Sequence, residues 1–261
     1  MFGPVRARAS RALLAAVVLA GIVTGSCSGQ ASPALSDPGQ ILEAGISGLE
    51  AARTFHVDGT ATGKLVLSPG GATGAGSAAP IPLDGSTLSG DADLATKRAS
   101  LSVAVPAFLD VTADIIAIDG IVYTRVPLLG SGGWTRQPGT GSIFGLLADL
   151  ASVLDGLGAF LARPGVAPRT LSNERCDDAD CYAVAFTIPA AQVGTGASDG
   201  AGLPGGLVLG DVAVTALVRT DTPRLVKLSF DVPLGKGGTV NIGLSLTGIG
   251  DPVTIAAPPG G

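Results

Sequence analysis

The chain has 261 residues, of which 46% are hydrophobic and only 14% charged, with a formal net charge of -5. A mildly acidic chain with few cations is a poor partner for nucleic-acid phosphates, which sets that class aside. Aromatic residues make up 4%, so the apolar interior must come from Val, Leu, Ile and Ala, and the length suits one domain or two small ones.

Arg6, Arg8 and Arg11 precede an apolar and small stretch over 12–23, and Thr24, Gly25 and Ser26 lead into Cys27. A basic segment, a short apolar segment and a small-residue zone form a secretory signal. The cysteine at the cut makes 1–26 a bacterial lipoprotein signal. In that reading the Cys27 thiol takes a diacylglycerol, which fixes the mature chain to the outer face of the cytoplasmic membrane. The apolar stretch falls short of the roughly 20 residues of a membrane-spanning helix. Thr24 stands where such signals usually carry Leu, Val or Ile, and the alternative is an unpaired cysteine in an ordinary secretory signal. Loss of 1–26 removes three arginines and no acid, so the net charge falls from -5 to -8. No polybasic patch adds to attachment, which leaves the anchoring to the lipid. A single acyl chain binds a membrane only marginally, whereas a diacylglycerol with an N-acyl chain holds firmly.

Residues 27–36 read as a polar tether, and 37–256 as one α+β domain. Asp37-Pro38 is an N-cap followed by proline at the first helical position. Leu42, Ile46 and Leu49 follow at helical spacing, which predicts an amphipathic helix over 38–54. Strands are expected over 55–67, 87–94, 99–105, 111–119 and 121–126, with Asp119-Gly120 as a tight turn. The segment 68–82, rich in Gly, Ala and Pro, reads as a flexible insertion. Leucines and isoleucines at helical spacing predict a second helix over 142–161, weakened by Gly145, Gly156 and Gly158. Strands resume over 169–174, 182–188, 207–220, 224–232 and 239–249, with a loose stretch over 194–206. Short connections favour antiparallel neighbours, and the mixed order is that of an α+β layout.

Two late strands alternate cleanly: Val226, Leu228, Phe230 and Val232 against Lys227, Ser229 and Asp231, then Val240, Ile242, Leu244 and Leu246 against Asn241, Gly243, Ser245 and Thr247. Such a sheet has one wet and one dry face. Periodicity alone fits the dry face equally to a core under two helices and to the wall of a lipid-sized cavity. The candidate wall residues are Val103 and Val105, Ile116 and Ile118, Phe186, Val226, Leu228 and Phe230, and Ile242 and Leu244.

Cys176 and Cys181 lie five residues apart. Export to an oxidising space favours a disulfide between them, a staple across a turn between two strands. Asp177, Asp178 and Asp180 crowd that turn and offer metal binding as the alternative. That reading has no Cys-x-x-Cys pair, and the chain's one histidine, His56, lies far away in sequence. Any Ser-His-Asp set depends on His56, whose place on a strand fits a surface or hydrogen-bonded role. Gly196-Ala197-Ser198-Asp199-Gly200 matches Gly-x-Ser-x-Gly by letter, without the strand-to-helix setting of a nucleophile elbow. Asp91, Asp93, Asp110, Asp114 and Asp119 fit solvated edges and turns, and Trp134 a boundary aromatic. No phosphate loop is present, so no enzyme, metal or cofactor is expected.

The block Ala113-Asp114-Ile115-Ile116-Ala117-Ile118-Asp119-Gly120-Ile121-Val122-Tyr123, with Trp134 after it, resembles the LppX/LprA/LprF/LprG lipoproteins of mycobacteria and related bacteria. The opening helix leading into Thr54-Phe55-His56-Val57, the block Leu88-Ser89-Gly90-Asp91, and Gly250-Asp251-Pro252-Val253-Thr254-Ile255 extend the likeness over most of the mature chain. The resemblance implies a curved antiparallel sheet, or half-barrel, with helices packed across its concave face. It also implies acyl chains of lipids or glycolipids held between, carriage of that cargo in the cell envelope, and no catalytic motif. The chain departs from the family pattern in its Cys176/Cys181 pair, its insertion over 68–82 and the lack of a tryptophan near Gly248-Ile249-Gly250. The expectation is a membrane-anchored lipid carrier, with an envelope lipid transporter as a further partner. The rivals are a non-transporting module that assists a transporter and, more remotely, a hydrolase of envelope lipids.

Overall fold

The helix α1 (Pro38–Ala52) forms where its cap and apolar stripe require. Asp37 keeps an extended backbone and its Oδ1 accepts from the Gln40 N–H at 2.8 Å. Pro38, which has no N–H, occupies a position where none is needed. The helix ends at Arg53, whose φ of 71° turns the chain and whose N–H returns to the Leu49 carbonyl. The computed structural model describes residues 35–65, 80–108, 110–127, 132–139, 166–190, 210–234 and 238–259. Cys27, the helix expected over 142–161 and the Gly-x-Ser-x-Gly match at 196–200 lie outside the described residues.

The strands follow in chain order as β1 (Thr54–Leu65), β2 (Ile81–Pro82), β3 (Ser86–Asp93), β4 (Arg98–Val105), β5 (Val111–Ile118), β6 (Ile121–Arg125) and β7 (Thr135–Pro138). After them come β8 (Arg169–Thr170), β9 (Glu174–Cys176), β10 (Ala179–Ile188), β11 (Val212–Arg219), β12 (Leu225–Pro233) and β13 (Thr239–Thr247). They form one sheet in the order β7-β6-β5-β4-β3-β1-β13-β12-β11-β10-β8, with β2 beside β1 and β9 beside β10. Every pairing is antiparallel. The sheet is unclosed, since β7 and β8 end it on opposite sides. Two meanders, β3 to β7 and β10 to β13, are joined by the first strand, which pairs with β3 on one side and the last strand on the other.

The expected architecture is corrected toward strand. Only one long helix is found among the described residues, so the sheet dominates. Residues 81–82 pair with Leu65 and Lys64 as β2, although they fall inside the segment read as a flexible insertion. The segment 169–174 divides into β8 and β9, two short strands that both pair with β10. Strand β7 was not expected: Thr-Arg-Gln-Pro lacks an apolar pattern, and its proline is tolerated because the strand is an edge. The turn between β5 and β6 is as expected. Asp119 and Gly120 both take positive φ, 54° and 75°, the left-handed pair that a two-residue hairpin with the natural strand twist requires.

Candidate functional site

Register fixes which side chains share a face, because alternate residues of a strand point to opposite sides. Phe55, Val57, Gly59 and Ala61 of β1 stand opposite Ala92, Gly90, Leu88 and Ser86 of β3, and the last three of them also opposite Leu246, Leu244 and Ile242 of β13. The same face continues through Leu228 and Phe230 of β12, Ala216 and Val214 of β11, and Val184 and Phe186 of β10. On the other side it continues through Leu101 and Val103 of β4 to Ile115 and Ala113 of β5. On β1, β3, β4, β12 and β13 this face carries no ionisable side chain.

α1 covers only one end of it. The helix packs on β10, β11, β12 and the start of β1, burying Ile41, Leu42, Ile46 and Leu49 together with Phe55, Val57, Val218, Leu225 and Leu246. Two glycines let it sit close. A β-carbon at Gly45 would stand 2.7 Å from a Val218 methyl, and one at Gly48 only 2.0 Å from the Pro223 carbonyl oxygen. Farther along the same rows, Leu88, Val103, Val105, Phe230, Val232, Ile242 and Leu244 are only half-buried. They are contiguous: Val103 faces Leu88, Leu88 faces Gly59, Gly59 faces Leu244, and Ile242 faces Phe230. The result is an apolar strip of sheet beyond the reach of α1.

Seven of the ten sequence-selected wall residues share this face: Val103, Val105, Phe186, Leu228, Phe230, Ile242 and Leu244. Phe186 and Leu228 are buried, and the other five are half-buried. Ile116 and Ile118 point the opposite way. Their neighbours Ile115 and Ala117 face inward instead, opposite Leu101 and Ala99. The signal that could have chosen the face is Asp114, which shares parity with Ile116 and accepts from Ser102 and Arg125 on the polar side. Val226 is displaced by a β-bulge. Lys227 pairs with Leu217 and Leu225 with Val218, so Val226 is the extra residue on its strand. It packs with Cys181, Ala183 and Leu217 in a separate small cluster, while Leu225 takes the inward place. Gly59, Leu88 and Ser86 are part of the apolar strip or border it, and none of them is among the sequence-selected wall residues.

The opposite face is polar. His56 and Asp91 are cross-strand partners, as are Asp58 and Ser89. His56 Nδ1 lies 2.8 Å from Asp91 Oδ1, and Ser89 Oγ lies 3.2 Å from His56 Nε2 and donates to Asp58 Oδ1 at 2.9 Å. The Asp91 carboxylate, by its hydrogen bond, lifts the His56 pKa above its ordinary value against the opposing effect of burial, and Asp58 adds to the rise. The order Ser-His-Asp is that of a hydrolytic triad, but two features argue against such a role. The Ser89 hydroxyl is engaged by Asp58, and the neighbouring backbone N–H groups are spent in the β1–β3 and β3–β4 ladders, so no oxyanion hole is formed. Arg125 pairs with Asp114 and lies 5.0 Å over the Trp134 ring, which makes Trp134 a surface clamp.

Cys176 and Cys181 form a disulfide, with their Cα atoms 5.9 Å apart, across the β9–β10 hairpin. Sulfurs so joined are not thiolate ligands. Asp178 pairs with Arg219, which also holds Asp221 through two nitrogens. That guanidinium pulls the Asp221 pKa down to about 2. Among the described residues no group of three His, Cys, Asp or Glu side chains is placed to hold a metal ion.

No family model and no curated protein matches the sequence. Solved structures do match. LprF from Mycobacterium bovis is 20% identical, with a TM-score of 0.53 over 85% of this chain and 97% of that one. The Mycobacterium tuberculosis lipoprotein LppX is 18% identical, with a TM-score of 0.51 over 85% of this chain and all of that one, 100%. The chain therefore has the fold of these two lipoproteins.

Proposed function

We propose that this chain, which shares the fold of LprF and LppX, is a membrane-anchored carrier of lipid or glycolipid in a bacterial cell envelope. The observation that carries the reading is the uneven cover of the apolar sheet face. It is sealed by α1 at one end and only half-buried from Leu88 and Val103 across to Phe230 and Ile242. An acyl chain laid on that strip leaves water at about 0.8 kcal/mol per buried methylene, without specific polar contacts. The sheet acts as a half-barrel whose concave side, covered at one end by α1, holds the chain while the polar head stays at the mouth. Lipidated Cys27 keeps the domain at the outer face of the cytoplasmic membrane, where the cargo resides and an envelope transporter can exchange it. No catalytic step belongs to this function.

The test is native mass spectrometry of gently purified protein, followed by uptake of added acyl lipid. Co-purifying lipid masses or saturable uptake support the carrier. Repeated absence of both sinks it. The anchor is tested separately: Cys27→Ala abolishes acylation and moves the protein off the membrane, and unchanged acylation refutes the assignment.

A further inference from the structure

Ser86 opens β3 on the apolar face, in step with Leu88 and Ala92 and opposite Ala61. It is 6% exposed, and its hydroxyl has no hydrogen-bond partner among the described residues. Its own N–H is satisfied by the Leu83 carbonyl, so the backbone has no remaining need of the side chain. A buried hydroxyl without a partner costs free energy that an alanine of nearly the same size would avoid. Along the row, Ala61 faces Ile242 and Ile242 faces Phe230. One step past the Thr87–Ala104 pair, β4 ends at Val105. The unpaired hydroxyl therefore borders the half-buried apolar strip.

We infer that Ser86 is a specificity residue of the lipid site and donates its hydroxyl proton to an ester carbonyl of the bound lipid. The inference rests on the carrier reading and narrows its cargo to neutral acyl esters. On β1, β3, β4 and β13 this face supplies one hydroxyl, that of Ser86, and no cation. A carboxylate would lose its hydration there without compensation, whereas a carbonyl needs a single donor. A plain hydrocarbon would leave the hydroxyl unpaired. The half-buried Tyr182 hydroxyl lies on β10, at the end of the face that α1 covers, where it accepts from the Leu35 N–H at 3.2 Å.

The experiment uses the full chain in a bile-salt detergent without an acyl tail. A fluorescent apolar probe is displaced by a long-chain methyl ester or by the alkane of equal chain length. The ratio of the two affinities is compared between wild type and Ser86→Ala, so the different solubilities of the probes cancel. One neutral hydrogen bond predicts a wild-type preference for the ester that falls about fivefold in Ser86→Ala, with alkane affinity unchanged. The empty Ser86→Ala protein melts at the same temperature as wild type or higher, because it loses an unpaired buried group. Ser86→Thr, which keeps the hydroxyl, retains the ester preference. An ester preference equal in wild type and Ser86→Ala overturns the inference while leaving the carrier intact. Displacement by neither probe overturns both. A large drop in melting temperature for Ser86→Ala also overturns the inference, since it means the hydroxyl has a partner within the protein.

Discussion

At the scale of single residues, the chain's one histidine gives the clearest handle on pH. His56 is flanked by Asp91 on the neighbouring strand and Asp58 on its own, with Ser89 between. Of the surrounding cations, Arg98 lies with Asp119 and Lys227 stands opposite Ser245, so neither opposes its charging directly. The raised pKa means that the folded state binds the proton more tightly than the unfolded chain. The stabilising contribution is therefore complete below the ordinary histidine value, about 6.5, and is lost as pH rises through the raised folded value. Urea midpoints of wild type and His56→Asn should differ more at about pH 5 than at about pH 9. The comparison with the variant cancels the titration of the carboxylates elsewhere. An equal difference at both pH values would show that the imidazole is not coupled to its two neighbours. The place of His56 on a strand was legible from the sequence, but its partners were not, because they sit 35 and 33 residues away on β3.

At the scale of elements, the seat of α1 and the β9–β10 staple carry separate predictions. In an open helix, replacing an interior glycine by alanine gains about 1 kcal/mol. At Gly48 the sign reverses, because the added carbon meets the Pro223 carbonyl oxygen, a backbone atom that cannot rotate away. Gly48→Ala should lower unfolding stability by about 1–3 kcal/mol, read from the urea midpoint, as α1 lifts from Val218 and Leu225. A gain in stability would mean that the helix does not sit against that turn. The disulfide closes a short loop. Its removal in the double variant Cys176→Ala, Cys181→Ala should cost about 2 kcal/mol by loop entropy. The fold should survive, because Cys181 packs in a small cluster apart from the main core. Loss of the near-ultraviolet dichroism of the native state in that variant would contradict this separation. α1, the Asp119-Gly120 turn and the alternation of β13 were all legible, since cap, turn chemistry and period are local signals. β7 was not, because a short polar edge strand is defined by its partner β6 rather than by its own residues. The bulge at Val226 was hidden for a similar reason: an extra residue on one strand is visible only against the strand beside it.

At the scale of the whole molecule, the antiparallel layout followed from short connections, whereas the pairing of first strand with last did not. That pairing decides the function proposed here. By placing β1 between β3 and β13 it makes one continuous apolar face from two meanders that each resemble an ordinary sheet. Sequence period could assign the dry side of β13, and of β12 from Leu228 onward, but not of β5, where Ile115, Ile116, Ala117 and Ile118 are apolar on both sides. Nor could it say whether the dry face is filled, since cover depends on where α1 stops. Along β13 the burial falls from Leu246, buried, to Leu244 and Ile242, both half-buried. A strip of finite length has a measurable consequence. Each methylene buried on it should tighten binding by about fourfold, the equivalent of roughly 0.8 kcal/mol. The gain should stop once a chain outgrows the strip. A homologous series of methyl esters, displacing an apolar fluorophore, should thus give a steep rise and then a plateau. Leu244→Asp, on the strip, should weaken every member by burying a charge beside the chain, while Thr60→Asp, on the polar face, should leave the series unchanged. A flat series would mean that the face is a filled core. A rise without a plateau would mean nonspecific partition onto the protein surface rather than a bounded site.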